Sequence, residues 1–394
     1  MLLPLALALS LLTVILLASK RVNLGVSMLL GSAILGFLAM PPDSAARVML
    51  EYAVRFKTIN LAITIALISL LGSVLRSTGL MQELIEGLKK IGMGTKALLA
   101  VVPALMGVLP MPGGALLSAP IVDEERSRVG VSPVDGAYIN LWFRHITFLV
   151  YPLTPAIIVL SEVSGVPVSQ LLPYLIPAFL AMALSGYMLS IRGIKSTKNP
   201  VKRDRGSVIQ LLLALLPIAI VPVLGIVLDV PSSIPVAIGV ALAVLLGRPS
   251  RDMLVKAVKD AKLPKFALAM IGIMVFRGVV LASGVGELAS STLQGLPVPL
   301  PILIAVSAFF LGLATGYPTA AIIILISLLP NPTSLAMLSV LYTASVIGYV
   351  ISPLHLCFVV TVEYCKVPMG SVYPKLIAST VATMLVSLLL PVFL

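Results

Sequence analysis

Charge is what this chain has least of. Only 11% of its 394 residues are charged and 59% are hydrophobic, whereas an average soluble domain is about 25% charged. A soluble fold of this length could not bury so much apolar surface. Lipid must cover much of it, and the aqueous loops must be short. Cysteine is also scarce. Cys357 and Cys365 stand alone in one apolar stretch, which excludes a disulfide framework and metal-knuckle spacing and reads as two small buried hydrophobes. No P-loop is present, so ATP does not act through this chain. No HExxH, no intramembrane Asp pair and no Ser–His spacing on facing helices supports an intramembrane enzyme. The chain reads as a non-enzyme that needs no organic cofactor. Asn and Gln together number nine, a depletion that points to a thermophilic source.

Positive charge is in excess, with 27 Lys and Arg against 15 Asp and Glu. A net charge of +12 would suit nucleic acid, but the basic residues sit in a few loops between apolar segments. That is how topology signals lie beside anionic headgroups, so the partner is the lipid bilayer and not nucleic acid. A spanning helix needs about 20 apolar residues. The candidates are 2–19, 23–40, 58–80, 136–160, 171–191, 208–228, 231–247, 264–284, 336–362 and 373–394. The first of these lacks a basic leader, and Lys20 and Arg21 follow its apolar run, so it reads as a membrane helix rather than a signal peptide.

Two further stretches, 98–121 and 299–330, are interrupted by Pro110-Met111-Pro112-Gly113-Gly114 and Thr315-Gly316-Tyr317-Pro318. Each reads as a re-entrant hairpin that enters and leaves on one side. With the basic loop 192–206 inside, this reading puts loops 81–97, 122–135 and 248–263 in the cytoplasm with it. Only Arg47, Arg55 and Lys57 are then left outside, as the positive-inside bias requires. A single crossing at 98–121 would instead split the Lys89–Lys96 cluster from Arg126 and Arg128. Both termini are then extracytoplasmic, in a multi-pass protein of the cytoplasmic membrane.

The chain repeats itself. Pro152, Glu162, Pro167 and Pro173 recur without a gap as Pro353, Glu363, Pro368 and Pro374, at an offset of 201. Leu153, Val159 and Val166 recur with them. The helix ending at Gly79 corresponds to the one ending at Gly284. The expected fold is therefore an all-α polytopic membrane protein of two inverted-topology repeats, each with a re-entrant helical hairpin and a broken transmembrane helix. The first repeat covers 1–197, with scaffold helices over 1–80, hairpin 98–121 and broken helix 136–160. A cytoplasmic linker, 198–206, leads to the second repeat, 207–394, with scaffold 208–284, hairpin 299–330 and broken helix 336–362.

Interrupted segments at matching places in inverted repeats point to a transporter's binding site. Proline removes a donor and frees a carbonyl, which in hydrocarbon must be served by a ligand or a cavity. Half-helix N-termini suit an anion and the freed carbonyls suit a small cation. The candidate substrate residues are Pro112, Gly113, Gly114, Ser118, Arg144, Thr154, Arg277, Thr315, Gly316, Tyr317, Ser352 and His355. Backbone near Pro112, Gly113, Thr154, Thr315 and Ser352 is the candidate Na⁺ site. Arg144 and Arg277 are either anion ligands or structural groups that pair or snorkel. His145 is a weaker ligand candidate than His355. Arg76 reads as an interfacial anchor, and Glu162 and Glu363 as caps of the broken helices. Buried carboxylates are too few for a cation antiporter.

Two inverted halves, each with a hairpin and a broken helix, resemble the ion-transporter superfamily of citrate, dicarboxylate, gluconate and lactate permeases. The runs Leu109-Pro110-Met111-Pro112-Gly113-Gly114-Ala115 and Ser352-Pro353-Leu354-His355-Leu356-Cys357 look most like an uncharacterised archaeal and bacterial membrane-protein family within it. The resemblance implies a secondary transporter of a small organic anion, a carboxylate, coupled to Na⁺ or H⁺. It would work as an elevator, and a homodimer is compatible with it. The Ser-Asn-Thr tip signature of the sodium-coupled dicarboxylate carriers is replaced here by Pro-Gly-Gly and Thr-Gly-Tyr-Pro. The competing readings are an ion antiporter or inorganic-anion efflux protein and, from another class, an intramembrane enzyme.

Overall fold

The structure, a computed structural model, describes residues 2–108, 114–195, 205–227, 230–295, 297–329 and 334–393. It is all-α, with no strand among the described residues. In hydrocarbon a helix is the one open segment that bonds all its own backbone groups. The first ten helices are α1 (Leu2–Ser19), α2 (Leu24–Ala39), α3 (Pro42–Val54), α4 (Phe56–Ser77), α5 (Leu80–Lys90), α6 (Thr95–Val108), α7 (Ala115–Arg128), α8 (Pro133–Ile146), α9 (Pro155–Ser164) and α10 (Val168–Gly186). The next ten are α11 (Arg205–Val227), α12 (Ser233–Gly247), α13 (Arg251–Asp260), α14 (Leu263–Ala282), α15 (Val285–Gln294), α16 (Leu300–Thr315), α17 (Pro318–Ile326), α18 (Leu335–Ile351), α19 (Leu356–Cys365) and α20 (Met369–Phe393).

The two sets pack alike. The α2–α14 contact is matched by α12–α4, α3–α14 by α13–α4, α6–α8 by α16–α18, and α7–α19 by α17–α9. The pairs α4–α14 and α10–α20 join each element to its own counterpart. The match extends to single residues. A methyl at Gly107 would run into the Arg144 carbonyl, and a methyl at Gly312 into the carbonyl of Ser345, which stands 201 positions after Arg144. Small residues let hairpin and broken helix approach backbone to backbone, the usual close contact inside membranes. Gly79 and Gly284 close α4 and α14 with φ of 79° and 72°, left-handed values that glycine adopts without strain.

The hairpin reading has a direct structural counterpart. Thr95, at the start of α6, donates to Glu125 Oε2 at 3.1 Å near the end of α7, so both ends of 95–128 lie together. Lys89–Glu124 at 2.8 Å and Arg76–Asp260 at 3.5 Å gather on that same face of the molecule the loops that carry most of the basic residues. Lys96 donates there too, to the Arg192 carbonyl at 3.1 Å. The opposite face holds Tyr52, packed against Gly278, and Asn60 with Ser233 at 2.7 Å.

The loops expected at 81–97 and 248–263 are largely helical instead, as are 42–54 and 285–294. These helices are too short to span, so a hydropathy window passes over them. α5 shows the reason for folding: Leu80, Leu84 and Leu88 are buried at four-residue spacing, with Glu83 and Glu86 between them and Lys89 and Lys90 at the end.

Candidate functional site

The broken helices form as their prolines dictate. After α8 one 3₁₀ turn, Thr147–Leu149, leads into an irregular stretch, and α9 begins at Pro155 with Thr154 as N-cap. In the second half α18 stops at Ile351 and α19 begins after His355. Thr154 and His355 are 201 positions apart and hold the same extended backbone, with φ of −65° and −69°. Neither uses its side chain as a cap, so the Ala156 N–H of α9 and the Leu356 and Cys357 N–H groups of α19 are left uncapped by these side chains.

The two breaks meet. Tyr342 on α18 donates to the Phe148 carbonyl at 2.6 Å and lies 3.0 Å from the Thr154 hydroxyl. The rings of His145 and His355 are 4.7 Å apart, and that of Tyr349 is 3.9 Å from His355. Phe148 stacks on Tyr349 with ring centroids 6.3 Å apart. Cys357, in the first turn of α19, joins this centre: one ligand atom each from His145, His355 and Cys357 lie within 4.8 Å of one another. His145 is fully buried and His355 is 1% exposed.

Arg144 carries the charge of the site. Its side chain lies against Gly114, where a methyl would strike the guanidinium. It is 2% exposed, and its Nε and one Nη have no hydrogen-bond partner. No acidic side chain pairs with it among the described residues. It is close enough to act electrostatically on Tyr349, His145 and Cys357. A buried, unpaired cation is expensive, and it faces the start of α7, where helix N–H groups also favour negative charge.

The remaining candidates divide. Pro112 and Gly113 lie outside the described residues. Ser118 donates to Asn140 Oδ1 at 2.6 Å, and Asn140 donates to Thr361 at 3.0 Å, tying α7, α8 and α19 together. Thr315 donates to the Leu311 carbonyl at 2.6 Å and accepts from the Tyr317 N–H at 3.2 Å, so it shapes its own tip. Gly316, with φ of 65°, abuts Leu354, whose Cβ would be 3.1 Å from an added methyl. Ser352 donates to the Leu313 carbonyl at 2.6 Å, fastening the second break to the second hairpin. Arg277 is not brought to the centre. It donates to the Val163 carbonyl at 2.7 Å, at the far end of α9. His145, Cys357, Tyr349 and Asn140 are the central residues that sequence reasoning underweighted. One signal was available: the chain has only two histidines, and each adjoins a break.

The family described as "Protein of unknown function (DUF401)" matches residues 3–393. The comparison with curated proteins gives no match. Among solved structures, the fold is similar to that of the Alcanivorax borkumensis YdaH transporter, which has an unusual topology. The TM-score is 0.64 and the identity 14%, over 93% of this chain and 96% of that one.

Proposed function

We propose that this chain, which belongs to the DUF401 family, is a secondary transporter that carries a small organic anion across the cytoplasmic membrane, coupled to Na⁺ or H⁺. One observation carries the anion reading. Arg144 is buried beside a hairpin tip and a helix N-terminus with no acidic partner among the described residues, which is the arrangement a carboxylate would complete. The likeness to the YdaH transporter supports transport, and the paired packing of hairpins and broken helices supports a place in the ion-transporter superfamily. An ion antiporter fits less well. The fully buried Glu125 is bonded by Thr95 and paired with Arg128 at 3.3 Å, so it has a structural role.

The division of labour follows the packing. The scaffold parts, 1–80 and 208–284, would stay fixed. The hairpins and broken helices, 98–121 with 136–160 and 299–330 with 336–362, would move with the substrate. The basic face would be cytoplasmic and both termini outside, and a homodimer is compatible with this layout. Na⁺ would sit where carbonyls are freed near Thr154, Thr315 and Ser352.

Thermal unfolding of the purified protein against a panel of small carboxylates, with and without Na⁺, tests the reading, followed by uptake into proteoliposomes. At least one carboxylate should stabilise the protein, and Arg144→Lys, which keeps charge but loses the planar fork, should weaken that ligand about 10-fold, roughly one bidentate hydrogen bond. If Arg144→Ala transports the same anion with unchanged affinity, the anion site lies elsewhere.

A further inference from the structure

We propose that His145, His355 and Cys357 form a binding site for a thiophilic transition-metal ion of the Zn(II) class. The first support is the state of the two rings. His145 Nδ1 lies 2.7 Å from the Leu141 carbonyl and His355 Nδ1 3.1 Å from the Val350 carbonyl. A carbonyl oxygen only accepts, so in the neutral ring each Nδ1 carries the proton. Each Nε2 is then the bare nitrogen with the lone pair, and neither Nε2 has a hydrogen-bond partner. The single thiol proton of Cys357, which neighbours both rings, can serve one of them at most, and a buried acceptor left bare is costly. Histidine fixed at Nδ1 by a backbone carbonyl, with Nε2 free, is the arrangement in which imidazole binds metal.

The second support is convergence. One ring nitrogen from each histidine and the Cys357 sulfur lie within 4.8 Å of one another. Tetrahedral Zn(II), with Zn–N near 2.0 Å and Zn–S near 2.3 Å, needs about 3.3–3.6 Å between ligand atoms. Contraction by roughly an ångström, within reach of side-chain rotation, would close the set. Two imidazoles and a thiolate suit Zn(II) and exclude hard ions such as Mg²⁺. Binding releases the Cys357 thiol proton to solvent, and the thiolate gained offsets part of the ion's charge beside Arg144. Three protein ligands leave a fourth position open, as in catalytic rather than structural zinc sites.

The inference does not rest on the transport reading, because its test needs no transport. The full chain in detergent, with thiols reduced, is titrated with Co(II), which reports thiolate ligation by a near-ultraviolet charge-transfer band. The band should saturate at one equivalent and bleach on addition of Zn(II). Cys357→Ser should abolish it. His145→Ala and His355→Ala should weaken Co(II) binding by more than the about 10–100-fold that loss of an orienting partner costs. Cys365→Ser should leave it intact. Unfolding temperatures of the variants without metal show that each is folded, and the conservative Cys357→Ser keeps the test decisive if a histidine variant is not. A wild-type protein without the band, or a band that survives Cys357→Ser, overturns the proposal.

Discussion

On insertion scales an arginine at mid-membrane costs about 2.5–3.5 kcal/mol, and nothing among the described residues neutralises Arg144. If an anion completes the site, removing the charge should relieve the empty protein. Arg144→Met is therefore expected to unfold at the same or a higher temperature than wild type without ligand, and to lose any stabilisation by carboxylates. A scan with and without ligand measures both. A large drop in the ligand-free unfolding temperature would mean that the guanidinium is a structural tie instead. Arg144 was legible as a candidate because its type and depth are sequence properties. Cys357 was not, because its meaning depends on His145 and His355, which lie 212 and 2 positions away and reach it only through the crossing of the two breaks.

At the scale of elements, hydropathy found every long apolar helix and proline placed the breaks. It missed α3, α5, α13 and α15, since a short amphipathic helix has neither the length nor the unbroken apolar run that a window detects. Pro and Gly alone mark the tips, and Pro112 and Gly113 fall outside the described residues. The offset of 201 also holds only from the broken helices onward. Gly107 and Gly312, like Gly79 and Gly284, are 205 apart, so the first half has four more residues between hairpin and broken helix. α7 runs 14 residues and α17 only 9, so the second arm of the hairpin is the shorter one in the second half. An equal role for the paired glycines predicts equal cost. Gly107→Ala and Gly312→Ala should each destabilise by about 1–3 kcal/mol through overpacking, despite alanine's better helix propensity, because the obstacle is a backbone carbonyl in both cases. Denaturation of the two variants in parallel checks this. A cost at one site and none at the other would mean that the two hairpins are seated differently.

For the whole molecule, the question is what moves. Contacts between the scaffold helices and the hairpin-bearing parts run chiefly through α1–α16, α4–α9 and α14–α17, a narrower seam than the packing inside either part. A sparsely packed boundary is what sliding requires. Among the described residues two polar ties cross it: Tyr151 donates to the Ile218 carbonyl on α11 at 3.4 Å, and Arg277 on α14 donates to the Val163 carbonyl at the end of α9. That carbonyl is one of the groups a helix C-terminus leaves unpaired, and a cation there is favoured by the helix dipole. If the hairpins and broken helices travel against a fixed scaffold, this bond belongs to one end state and must break in the cycle. Cysteines at 277 and 163, in a Cys365→Ser background, should then be joined by a short thiol-bridging reagent, and the bridged protein should hold ligand without transporting it. Cleaving a reducible bridge should restore transport. Arg277→Ala alone should shift the resting population away from this state, seen as faster bridging of cysteine pairs that report the other one. A carrier that completes full cycles while bridged would show that α9 does not move relative to α14. The site would then open by local motion of the tips over a stationary centre, and the symmetry of the two halves would supply two gates rather than two positions.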